Sequence, residues 1–111
     1  MGVVLPFPTP GAGGQIGFSR FELNRIVDLY GRMVAAGLWR DYAIAFEPGA
    51  AAFWVFRRTA ERPEYRIEKR PAARAGVWAL IGESGQVLRR GRELGSVLAP
   101  IERRLLKVVA G

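Results

Sequence analysis

A chain of 111 residues, half of them apolar, is sized for one domain with a modest core. It contains no cysteine and no histidine. That excludes disulfide frameworks, thiolate zinc sites, iron–sulfur clusters, cysteine nucleophiles and every Ser-His or Cys-His catalytic pair. The formal charge is +7 with a pI near 11.0, and of 17 basic residues only Lys69 and Lys107 are lysines. The charge is uneven. Residues 1–56 balance at four positive against four negative, whereas 57–74 carry seven against three and 89–107 six against two.

Residues 1–17 hold Pro6, Pro8 and Pro10, then Gly11, Gly13, Gly14 and Gly17, a composition that predicts an extended, mobile tail ahead of one domain over 18–111. The alternating prolines also suit docking in an aromatic groove. Gly11-Ala12-Gly13-Gly14 resembles a phosphate loop only faintly, because no strand precedes it and no Gly-Lys-Ser/Thr follows. The opening MGVVLPFPTP has no basic leader, and no run approaches the roughly 20 apolar residues of a membrane span. A cytoplasmic protein is the expectation.

The stretch from Phe18 to Tyr42 carries the clearest folding signal. Ser19 with Glu22 three residues later forms a capping box, and Phe18 with Leu23 fits a hydrophobic staple. Leu23, Ile26, Val27, Tyr30, Met33 and Val34 recur at the three-and-four spacing of one buried stripe. Asp28 can pair with Arg32 one turn on. Gly37 ends the helix in a left-handed conformation, with Leu38 folding back towards Met33.

Strand-like runs follow. Asp41 to Glu47 alternates with Tyr42, Ile44 and Phe46 on one face, and Pro48-Gly49 predicts a turn into Ala51–Arg58. Glu64–Arg70 alternates until Pro71, Gly76–Gly82 is apolar on both faces, and Glu83-Ser84-Gly85 turns the chain into Gln86–Arg90. Leu94, Val97, Leu98, Ile101, Leu105 and Val108 then resume the helical spacing. Pro100 inside that pattern predicts a short turn or helix, then a helix starting near Pro100. The fold expected is α+β: an N-terminal helix packed on a curved antiparallel meander of five strands, closed by a C-terminal helix.

In this order, FELNRIVDLYGRMVAAGLWRDYAI, the WVFRR strand, YRIEKRP and QVLRRGREL resemble a small family of bacterial single-domain proteins catalogued only as a domain of unknown function. The resemblance covers roughly residues 18–98. It implies a compact cytoplasmic protein and carries no activity, ligand or catalytic residue across.

Candidate functional residues come from a mismatch between neighbouring strands. If Tyr65 and Ile67 face the first helix, Arg66 and Glu68 lie on the far face, beside either Phe53 and Val55 or Trp54 and Phe56, and beside either Trp78 and Leu80 or Val77, Ala79 and Ile81. Either register leaves an apolar face needing cover. Three covers are considered: the C-terminal helix with Arg66 and Glu68 paired at its margin, a homodimer or protein partner, and single-stranded nucleic acid. In the last, Trp54 and Trp78 stack bases while Arg57, Arg58, Arg66, Lys69 and Arg70 track phosphates. Arg89, Arg90 and Arg92 form a second, tighter basic cluster suited to a phosphate. Glu61, Glu64 and Glu68 are placed to neutralise the first cluster in cross-strand pairs.

No Ser-x-x-Lys pair, metal-like carboxylate cluster or RNA-binding signature appears. The C-terminal helix has the amphipathic character of a membrane-surface helix but no aromatic anchor. The sequence therefore predicts a non-enzymatic interaction module without cofactor or metal, working through a protein partner or as a homodimer. Weak RNA or DNA binding is the alternative.

Overall fold

The computed structural model describes residues 16–59 and 61–110, so residues 1–15 of the N-terminal tail, with its proline run and its phosphate-loop-like glycines, lie outside the described residues. Two helices and five strands follow one another as α1 (Arg20–Ala35), β1 (Asp41–Glu47), β2 (Ala50–Phe56), β3 (Tyr65–Lys69), β4 (Trp78–Gly82), β5 (Val87–Gly91) and α2 (Leu94–Ala110). Every strand pairs antiparallel with its neighbour in sequence, giving one open sheet in the order β1-β2-β3-β4-β5. This is the α+β meander that the alternation predicts.

The ends of α1 are set by local chemistry. The Glu22 amide donates to Ser19 Oγ at 3.1 Å and the Ser19 amide donates to Glu22 Oε1 at 2.7 Å, so two otherwise orphaned donors are satisfied reciprocally. At the other end Gly37 takes φ 78°, its amide bonds to the Val34 carbonyl, and the Leu38 amide bonds to the Met33 carbonyl. That is a Schellman stop. The buried stripe is rotated from the one read off the sequence: Ile26, Leu29 and Met33 are buried, while Val27 and Val34 are exposed. Phe18 stacks on Trp78 with 6.0 Å between ring centroids.

The core lies between the sheet and both helices. Tyr42, Ile44, Phe46, Ala51, Phe53, Val55, Tyr65, Ile67, Trp78 and Leu80 share one sheet face and meet Ile26, Leu29 and Met33 of α1 and Leu94, Val97, Leu98, Ile101 and Leu105 of α2. The C-terminal helix therefore packs beside α1 and does not cover the opposite face, contrary to the first of the covers considered above. α2 is also one continuous helix with Pro100 inside it, not two segments divided near Pro100. A proline there forfeits one helical hydrogen bond, which costs about 3 kcal/mol in an isolated helix. Here Leu94, Val97 and Leu98 before it and Ile101 and Leu105 after it are buried in the same core, so burial holds both halves on one axis.

Candidate functional site

The face of the sheet away from the helices resolves the register question. Trp54 lies opposite Arg66, Ala52 opposite Glu68, and Glu68 opposite Ala79. Arg66 and Glu68 are thus flanked by Trp54 and Ala52 on one side and by Ile81 and Ala79 on the other.

On this face Arg66 donates to both carboxylate oxygens of Glu47, at 3.0 and 2.9 Å, and to Glu68 Oε2 at 2.8 Å. Arg70 reaches the same Glu68 oxygen at 3.4 Å. Glu47 is on β1 and Arg66 on β3, so the pair spans the whole width of β2, where the residues beneath are Ala50 and Ala52. Both alanines are fully buried although neither described helix lies over them. The guanidinium also sits 4.8 Å from the Trp54 ring centroid, a cation–π contact that occupies one face of the indole. The face predicted to need a cover is roofed in large part by its own ion-pair lattice.

The electrostatics follow. The bidentate bond from Arg66 holds the Glu47 carboxyl below its ordinary range, against a smaller opposing effect of burial. Burial pushes Glu68 upward, but the combined hydrogen bonds and charges of Arg66 and Arg70 outweigh it and leave this carboxyl low as well. Arg66 is raised, chiefly by its bond to Glu47.

The remaining candidates do not share this surface. Trp78 faces the helices and is only 4% exposed, and Lys69 beside it donates to Glu22 Oε1 at 2.8 Å and to the Gly17 carbonyl at 2.9 Å. Trp54 and Trp78 therefore lie on opposite faces and form no common stacking platform. Arg57, at the end of β2, donates to Glu83 at 3.1 Å and lies 3.8 Å from Glu64; Arg58 lies 4.0 Å from Glu61. Glu64, a residue the sequence marked only as a neutraliser, ties the segment before β1 to α2: it accepts from Trp39 Nε1 at 2.8 Å and from Arg104 at 2.9 Å. Arg89, Arg90 and Arg92 have no ion-pair partner among the described residues. They diverge all the same, since Arg89 lies opposite Leu80 on the helix side and Arg90 opposite Ala79 on the far side.

Two features escaped the sequence reading. The first is an apolar groove of about 350 Å³ between the last turns of the helices, lined by Arg32, Ala35, Ala36, Leu105, Leu106 and Val109; Leu106 and Val109 are 63% and 64% exposed. Its signal was the run of apolar residues closing α2.

The second is β1, the outer strand of the sheet. Edge strands are ordinarily guarded by lysine, proline, a bulge or a covering element. β5, the opposite edge, has Arg89, Arg90 and a register irregularity in its pairing with β4, and α2 packs against it. β1 is seven residues long, DYAIAFE, pairs with β2 without interruption, and has charge only at its two ends. The signal was present in the sequence as an alternating strand with no basic residue and no proline within it.

Among the described residues no group of carboxylates is arranged to hold a metal ion, and no helix is long and apolar enough to cross a membrane.

Comparison with known proteins places this architecture in a family. The model of DUF2794, described as a protein of unknown function, matches residues 16–98. The chain belongs to the DUF2794 family. The match takes in α1, the whole sheet and the first turn of α2, and leaves the Pro100–Ala110 half of that helix outside it. No curated protein and no solved structure matches the chain.

Proposed function

We propose that this chain is a non-enzymatic protein-interaction module whose contact is made by the main chain of β1. The observation that carries the reading is the unguarded edge. The Tyr42 N–H donates to Oδ1 of Asp41, the residue before it, at 2.8 Å and so lies outside the β2 ladder. By the alternation of an antiparallel strand, Ile44 and Phe46 also direct their N–H and C=O groups away from β2. Strand addition at such an edge is a common mode of protein recognition. Three of the other candidate cations are engaged with carboxylates: Arg66 with Glu47 and Glu68, Lys69 with Glu22, Arg57 with Glu64 and Glu83.

A weak RNA- or DNA-binding role is the second reading. It rests on Arg89, Arg90 and Arg92, which lack carboxylate partners among the described residues.

The test uses a displayed peptide library selected on the immobilised protein and counter-screened on Ile44→Pro, which removes an outward-facing donor and leaves the β2 ladder intact. Extended peptides whose binding weakens by about tenfold or more in the variant support the reading. The same preparation is titrated with a labelled oligonucleotide pool at physiological salt. Retention there, lost on replacing Arg89 and Arg90, would put nucleic acid first.

A further inference from the structure

Resting on the edge-strand reading above, we infer that the occupant of the β1 edge is a second copy of this chain, paired antiparallel about a two-fold axis through Ala45. The free donors along the strand decide the register. Outward of β1 are the N–H groups of Ile44 and Phe46 and the carbonyls of Tyr42, Ile44 and Phe46; the Tyr42 N–H is already taken by Asp41, and Pro48, just beyond the strand, has none.

Only one symmetric register matches that inventory. Centring the pair on Ile44 places Tyr42 opposite the partner's Phe46 and calls on the Tyr42 donor, and it also sets Asp41 against the partner's Glu47. Centring on Ala43 calls on Tyr42 again and leaves Phe46 N–H without an acceptor. Centring on Phe46 sets Ile44 opposite the partner's Pro48, which has no donor to return. Centring on Ala45 sets Ile44 opposite the partner's Phe46 and Phe46 opposite the partner's Ile44. Each of these two pairs exchanges both of its hydrogen bonds, so all four free donors are used. The ladder stops at the capped Tyr42 and at Pro48, where no donor remains. No other centre completes two reciprocal pairs without calling on the Tyr42 donor.

Side chains agree with the register. On the helix side, Ile44 and Phe46, both only partly buried in one copy, become cross-strand apolar neighbours of each other. On the far side the axis passes between two alanines, which admit close approach, and Ala43 faces the partner's Glu47, so no like charges are opposed. The product is a continuous ten-stranded sheet with the Glu47–Arg66 pairs flanking the axis. The guarded β5 edges then lie at its two outer limits.

Because the chain has no cysteine, one substitution reads the register directly. Ala45 and the partner's Ala45 form a non-hydrogen-bonded pair with Cα atoms about 4.5 Å apart, within the range of a disulfide. Two Ala43 residues are offset by four positions, about 13 Å, which is out of reach. The experiment combines sedimentation of the wild-type chain over a wide concentration range with mild oxidation of Ala45→Cys and Ala43→Cys. The inference expects a concentration-dependent dimer and covalent dimer from Ala45→Cys alone. A monomer at every concentration overturns it, as does a dimer in which Ala45→Cys fails to cross-link or Ala43→Cys cross-links equally well. A monomer that still captures peptides through the Ile44 edge would reject the second copy and leave the interaction-module reading standing.

Discussion

Arg66 on β3 clasps the carboxylate of Glu47 on β1 through two parallel hydrogen bonds, at 3.0 and 2.9 Å, across the intervening strand. The clasp explains why β2 has alanine at positions 50 and 52, where larger side chains would push the guanidinium off the sheet. It also explains how a face that neither described helix covers keeps Ala50 and Ala52 fully buried.

Removing the clasp should be costly. In Arg66→Met, Glu68, only 6% exposed, keeps Arg70 at 3.4 Å as its sole cationic partner, and the Trp54 ring loses its cation. Breaking a buried pair from one side costs about 3 kcal/mol. Urea unfolding should show a loss of that order together with a changed Trp54 fluorescence. A loss below about 0.5 kcal/mol would mean the lattice is an ordinary surface network.

Acid should weaken the same lattice. Glu47 and Glu68 are both held below the ordinary value of 4.5 in the folded chain. Their contribution is therefore complete above that pH and drains away as pH falls through the folded-state values. Unfolding midpoints measured between pH 7 and pH 3 should fall below about pH 4.5. In Glu68→Gln the fall should be shallower, so that the gap between variant and wild type narrows in acid. A gap that stays constant across the range would contradict this account.

Two glycines separate conformational strain from crowding. Gly37 has φ 78° with open space where a Cβ would stand, whereas at Gly76, with φ 135°, a Cβ would come 2.7 Å from the Gly91 carbonyl oxygen. Gly37→Ala should cost about 1 kcal/mol through the left-handed backbone alone. Gly76→Ala adds a backbone clash and should cost about 3 kcal/mol. Thermal unfolding of both proteins checks the order. Equal costs would mean that β5 yields to the new methyl group.

Phe53, fully buried and stacked on Tyr42 with ring centroids 5.1 Å apart, anchors the aromatic group under the C-terminal end of α1. Phe53→Ala should destabilise by about 3–5 kcal/mol. Calorimetry would reveal it, and a shift under about 1 kcal/mol would show that Tyr30 and Tyr42 collapse into the space.

Much of this architecture was legible because its determinants are local. A capping box, a Schellman glycine, a Pro-Gly turn and period-two alternation each act within a few residues, and each stands where it was read. The buried stripe of α1 was misplaced by part of a turn. Period 3.6 identifies a stripe but not its centre, which α2 and the sheet fix together by burying Leu29 and exposing Val27. Pro100 was read as a boundary because propensity opposes it, and burial on both sides overrides that. The ion-pair lattice was beyond local reading, since Glu47 and Arg66 meet only once three strands are in register. The placement of the candidate residues was out of reach for the same reason: pairing sends Arg89 and Arg90 to opposite faces and encloses Trp78 beneath the helices.

The most direct measurement is amide hydrogen exchange at Ile44 and Phe46, followed as the protein concentration is raised. If the outer edge of β1 is the contact surface, these two amides exchange freely in dilute solution and gain protection together as association proceeds, while Val87 and Leu88 on β5 stay unchanged. Protection at Ile44 and Phe46 that is the same at every concentration would contradict the account.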